Sequence, residues 1–181
     1  MSESESLAHD WFPRALPDNV VIGERSWLYS SFAFLHYRSD QPCGVRIGSD
    51  SGLYNGTFFD LGPLGEVEIG NYCSIVGAII SCNSRVVIKD YAFIAHEVVI
   101  ADHFAATPLN SSPARRDEAG EPCASIVIGE NAWIGARAVL LAGCEIGESA
   151  IVGAATVVDF EVPPGAVVAG NPARVVGHIE S

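Results

Sequence analysis

The sequence predicts an all-β fold: a parallel β-helix of six-residue repeats with one protruding loop and an irregular C-terminal cap. Three observations predict it. An aliphatic residue returns every sixth position, most cleanly at Ile128, Ile134, Leu140, Ile146, Val152 and Val158. Glycine follows this marker at Ile22, Ile47, Ile69, Ile128, Ile134, Ile146 and Val152. The repeat then lapses over one long stretch, residues 104–125, which is rich in Pro, Ser and charge. A period of six fits neither the helical 3.6 nor the strand's 2, but it fits a short strand followed by a tight turn. Three such units close a triangular coil. Stacked coils pair as parallel strands about 4.8 Å apart, which satisfies their backbone groups. Each coil alone buries too little, so the unit of stability is the stack.

Taken in order, residues 1–20 carry no repeat; their first part is expected to be disordered, while Trp11, Phe12 and Leu16 can pack on a neighbour. The β-helix is expected over 21–165. Its marker sets are Ile22, Leu28, Phe34; Ile47, Leu53, Phe59; Ile69, Ile75; Ile88, Ile94, Ile100; and the six from Ile128. The irregular steps, including one inserted residue placed after Ser81, read as bulges at corners. Glycine after the marker is expected to ease the turn, and the small Ala132, Ala138 and Ser149 are assigned to corners. The loop at 104–125 reads as a functional excursion. Residues 166–181 read as a cap and tail, since Pro and Gly from Val162 onward favour turns and an extended segment.

Composition narrows the function. The net charge is −12 and Lys89 is the single lysine, so nucleic acid and anionic membrane surfaces are poor partners. No apolar run reaches the length of a membrane span. The acidic start lacks the basic and apolar parts of a signal peptide, which points to a cytoplasmic protein. The cysteines at 43, 73, 82, 123 and 144 are odd in number and without C-x-x-C spacing. They read as small buried hydrophobes.

The run IGENAWIGARAVLLAGCEIGESAIVGAATVV, followed by VPPGAVVAGNPARVV, resembles the hexapeptide-repeat acyltransferases, especially the sugar O-acetyltransferases of the galactoside, maltose and capsular-polysaccharide types. The resemblance covers roughly residues 67–177 and more loosely 20–66. It implies a left-handed parallel β-helix, against the usual right-handed crossover. It also implies a homotrimer with active sites at subunit clefts, acetyl-CoA as acyl donor along the C-terminal coils, and no metal. The acceptor would be a hydroxyl or amine of a sugar-like small molecule.

His103, which closes the coil Ile100-Ala-Asp-His and opens the loop, matches the family's catalytic histidine. The chemistry suits it: an imidazole near pKa 6.5 can take a hydroxyl's proton at neutral pH. His96 and Asp102 are candidates for lining the acceptor. Asp102, Glu97, Glu118 or a backbone carbonyl could orient His103, and the sequence does not choose among them. A backbone N–H near Trp133-Ile134-Gly135-Ala136 would stabilise the thioester oxyanion. For the donor the resemblance points to Trp133, Ala136, Ala154 and Arg174, the last meeting phosphate or the adenine end. Two departures stand out. Asp159-Phe160 replaces the Thr-Lys that commonly follows this Val-Val, and the family's acceptor asparagine has no clear match. Two other readings remain: a γ-carbonic-anhydrase-like zinc enzyme, and a non-catalytic β-helix that binds a sugar nucleotide.

Overall fold

The computed structural model describes residues 7–12, 14–102 and 125–179. Residues 103–124, with His103, Glu118 and Cys123 and most of the expected loop, lie outside them, as do residues 1–6, 13, 180 and 181. The described chain winds as a left-handed parallel β-helix with three faces. The first face stacks Val20–Ile22, Val45–Ile47, Glu66–Ile69, Arg85–Ile88, Ile126–Ile128 and Glu145–Ile146. The second stacks Trp27–Leu28, Gly52–Tyr54, Ser74–Val76, Phe93–Ile94, Trp133–Ile134, Ile151–Val152 and Ala166–Ala169, with Arg174–His178 folding back antiparallel. The third stacks Phe58–Leu61, Ile79–Cys82, Val99–Ala101, Val139–Leu141 and Val157–Val158.

The markers align between coils. Ile75 lies beside Leu53, Ile94 beside Ile75, Ile134 beside Ile94 and Val152 beside Ile134. These side chains are all fully buried. Phe34 sits in a short 3-10 turn, Ser31–Phe34, instead of a strand. It still stacks face to face on Phe59 at 5.0 Å, so the repeat holds its packing where it loses its strand. The irregular step expected after Ser81 is distributed otherwise. Ile80 is the third-face marker, paired with Phe59 and Ile100. The turn from Ile75 is thus one residue short, with Gly77 at φ 62°, and the next turn, around Asn83 and Ser84, is long.

The corners correct the expected role of glycine. The turn is made three residues after the marker, where Arg25, Asp50, Tyr72, Tyr91, Glu97, Asn131, Arg137, Ser149 and Ala155 adopt φ of 53–61°. This left-handed conformation is unfavourable for a residue with a Cβ. Neighbouring coils compensate by pairing these side chains along the stack. Arg25 grips Asp50 in two hydrogen bonds (2.6 and 2.7 Å). Tyr72 stacks on Tyr91 at 5.0 Å, Asn131 donates to Ser149 Oγ at 3.0 Å, and Arg137 donates to Glu97 at 2.6 Å. Ser149 therefore belongs to this ladder, and Ala150 fills the buried small-residue position beside Ala132 and Ala138.

The glycine after the marker serves close approach instead. A Cβ on Gly135 would stand 2.6 Å from Ala154 N and 2.8 Å from Val152 O of the next coil. At such an ordinary φ, Gly→Ala would normally stabilise by about 0.4–1 kcal/mol through the unfolded chain. Here the backbone clash dominates. Gly135→Ala is expected to destabilise by about 1–3 kcal/mol, visible as a lowered midpoint in urea; an unchanged midpoint would contradict the clash.

Residues 7–12 close the open base of the stack. His9 stacks on Trp27 at 4.0 Å, and its Nε2 is 2.8 Å from the Leu28 carbonyl oxygen. The Asp10 carboxylate accepts from Ser30 Oγ, Ser31 N and Phe12 N at 2.7–2.9 Å. Burial opposes its ionisation, but these donors prevail and hold the carboxyl down at about 2. At the other end, Val162 bridges to Ile146 and Val168 lies beside Val152, so the stack continues past Val158 into Ala166–Ala169. No helix of the described residues is long and apolar enough to cross a membrane.

Candidate active site

The corner between the second and third faces gathers three of the expected residues into one ridge. Arg137 N donates to His96 O at 2.9 Å, and Ala155 N donates to Ala136 O at 2.9 Å. His96, Ala136 and Ala154 therefore rise one above another, coil by coil. Below them the same corner carries only Gly77, whose carbonyl accepts from Glu97 N at 3.2 Å. Above them, Ala169 ends its strand beside Gly153. Arg174 pairs with Ala169 across the terminal hairpin, which places it at the top of the ridge. It is exposed, its Nη1 donates to the Ala173 carbonyl at 2.6 Å, and it makes no ion pair among the described residues.

The ridge also selects among the backbone donors. Trp133 N donates to Ala150 O and Gly135 N to Val152 O. Ala136 N–H makes no hydrogen bond with another described residue, and Ala136 is only half-buried with a methyl side chain. A small ligand can reach this N–H, which is the requirement for stabilising a developing oxyanion.

Trp133 lies apart from the ridge, on the outer surface of the second face, 53% exposed. Phe93 meets it edge to face at 6.0 Å. Together they form one wall of a groove of about 460 Å³ whose other wall is the corner ladder at Tyr91, Asn131 and Ser149. The sequence reading missed these ladder residues. Counting three places on from each marker would have found them.

Asp102 corrects an expectation. It continues the inward column that runs through Leu61 and Cys82, and it is 1% exposed. Its carboxylate accepts from Asn83 N and Ser84 N, both at 2.8 Å, and from Cys82 Sγ at 3.2 Å. It ties the end of one coil to the long turn below and cannot line an acceptor. His96 is exposed, but Glu97 is engaged by Arg137, which with His96 nearby holds that carboxyl below its usual range.

His36 packs its ring against Phe58 at the base. No group of three His, Cys, Asp or Glu converges as a metal site among the described residues. Burial pushes the Cys144 thiol up to about 12, and burial with the Asp102 charge pushes Cys82 higher still. Neither is a nucleophile at neutral pH. In the Asp159-Phe160 departure, Phe160 packs against the core and Asp159 is exposed.

Residues 125–159 match the family described as "Bacterial transferase hexapeptide (six repeats)". A putative acetyltransferase of Staphylococcus aureus is 39% identical over 77 residues, covering 42% of this chain and 38% of its own. The chain thus spans well under half the length of that relative. A chloramphenicol acetyltransferase of Agrobacterium fabrum is 38% identical over 158 residues, covering 87% of this chain and 66% of its own. Among solved structures, a hexapeptide-repeat acetyltransferase of Vibrio cholerae complexed with acetyl coenzyme A is similar, with a TM-score of 0.61 and 28% identity over 76% of this chain and 72% of that one.

Proposed function

As a member of the hexapeptide-repeat transferase family, this chain is, we propose, an acetyl-CoA-dependent acyltransferase acting on a hydroxyl or amine of a sugar-like small molecule. The observation that carries this reading is the ridge of His96, Ala136 and Ala154, with an Ala136 N–H that bonds to no other described residue. The acyl donor lies along Ala136 and Ala154, with Arg174 meeting the phosphates; Trp133, expected beside the donor, stands on the neighbouring outer face. The Vibrio relative's complex with acetyl coenzyme A supports that donor. His103 takes the acceptor's proton as its oxygen or nitrogen attacks the thioester carbon. The carbonyl electrons move onto oxygen, which accepts a hydrogen bond from Ala136 N–H. When the C–S bond breaks, the thiolate leaves with the proton held by the imidazolium. His96, one coil below Ala136, borders the acceptor. By family resemblance the sites lie in the clefts of a homotrimer in the cytoplasm.

The test is thiol release from acetyl-CoA across a panel of sugars, nucleotide sugars and aminoglycosides. Chloramphenicol joins it because the Agrobacterium relative bears its name. Arg174→Ala is expected to raise the KM for acetyl-CoA about 10-fold with kcat little changed, since a guanidinium–phosphate contact binds ground and transition states alike. If acetyl-CoA neither raises the melting temperature nor releases thiol with any acceptor, the reading fails.

A further inference from the structure

We infer that the groove beside Trp133 is a binding subsite for an uncharged ring bearing hydroxyl groups. Its use as the acceptor's place rests on the transferase reading above. Its walls differ in chemistry. On one side Phe93 and Trp133 expose 40% and 53% of their surface. On the other stand Tyr91, Asn131 and Ser149 of the corner ladder, with Ile151 and Ile179 completing the lining. Exposed aromatic surface of this kind favours a flat, weakly polar partner such as the C–H face of a pyranose or an aryl ring. The opposite wall supplies what a hydroxyl-bearing ring requires. The Asn131 amide gives one N–H to Ser149 Oγ at 3.0 Å. This leaves the amide oxygen as acceptor, a second amide N–H, and the Ser149 hydroxyl proton as donor. Alternating donors and acceptors of this sort pair with vicinal hydroxyls.

Charge separates this groove from the donor's ridge. None of the described residues lining it is ionisable at neutral pH, in a chain of net charge −12. A phosphate there would meet no guanidinium among the described lining residues and an unfavourable overall field. The ridge, by contrast, ends at Arg174. Trp133 and Ala136 belong to one coil, three residues apart in sequence, with Trp133 in the lining of the groove and Ala136 on the ridge.

The experiment is saturation-transfer NMR on the full chain, with millimolar methyl pyranosides, 1-phenyl-1,2-ethanediol and glucose 1-phosphate. Uncharged compounds are expected to show transfer. Affinity is expected to fall about 10-fold in Trp133→Ala, and about 5-fold each in Asn131→Ala and Ser149→Ala. Ala155 occupies the same turn position, so alanine is compatible with that backbone. Binding of the pyranosides assigns a saccharide, and binding of the diol alone assigns an aryl alcohol; either supports the subsite. Acetyl-CoA affinity is expected to stay unchanged in the Asn131 and Ser149 variants. If the wild-type chain binds pyranosides but no acetyl-CoA, the subsite stands and the transferase reading falls. Tighter binding of glucose 1-phosphate, no transfer from any uncharged compound, or dissociation of an oligomer by Trp133→Ala would each overturn the inference, the last by showing that a second copy covers the groove.

Discussion

His103→Ala lowers turnover by about 10²–10⁴-fold on the proposed reaction, the range a positioned general base contributes. The KM for acetyl-CoA is expected to change little, because the proton transfer belongs to the transition state. The thermal midpoint is expected to hold, since the β-helix core is built from the markers and not from this loop-edge residue. The sign follows from the acceptor's chemistry. A hydroxyl must lose its proton as it attacks, and water performs that task poorly at neutral pH. The check is steady-state kinetics at saturating acceptor, with an unfolding curve on the same preparation. Full activity in a folded variant would remove His103 from the mechanism, and His96 would become the histidine to replace next.

Asp102→Ala is expected to be the most destabilising single change outside the apolar core, at about 3–5 kcal/mol. The carboxylate satisfies two backbone N–H groups and a thiol within the stack. Removing it strands buried donors, each costing about 1–3 kcal/mol. Asp102→Asn should lose less: its amide oxygen can accept from one N–H, while its NH2 faces another donor. Since a domain of this size shifts roughly 2–4 °C per kcal/mol, the alanine variant should melt about 10 °C lower. A midpoint within about 2 °C of the wild type would show that the clasp contributes little. The substitution also loosens the residue immediately before His103 in the chain, so turnover is expected to fall as well.

Much of the fold was legible because the repeat is local in its logic. A buried residue every sixth place forces a strand and a turn, and the six markers from Ile128 to Val158 allow no other period. The marker residues follow from that pattern; the return of Ala166–Ala169 to the stack does not, because the Pro- and Gly-rich segment from Val162 reads as a cap. The corner chemistry was not legible. Glycine drew attention as the turn former, yet the turning residues are Arg25, Tyr72, Asn131 and their counterparts, and their cost is offset only by partners one coil away. A sequence window sees the strained residue without its partner.

The sequence by itself determined the period, the three-sided cross-section and the buried set. Only the tertiary structure decided which groups meet. The bond between Arg137 and Glu97 spans 40 residues because the loop intervenes, whereas that between Asn131 and Ser149 spans 18. The offset between coils depends on every insertion in the turns, and a one-residue difference reverses the face on which a strand side chain lies. For that reason Asp102, which looked like an active-site neighbour of His103, is an inward-facing clasp. Within Trp133-Ile134-Gly135-Ala136, the N–H of Ala136 has no partner among the described residues, because Gly135 N donates to the coil above and Arg137 N to the coil below.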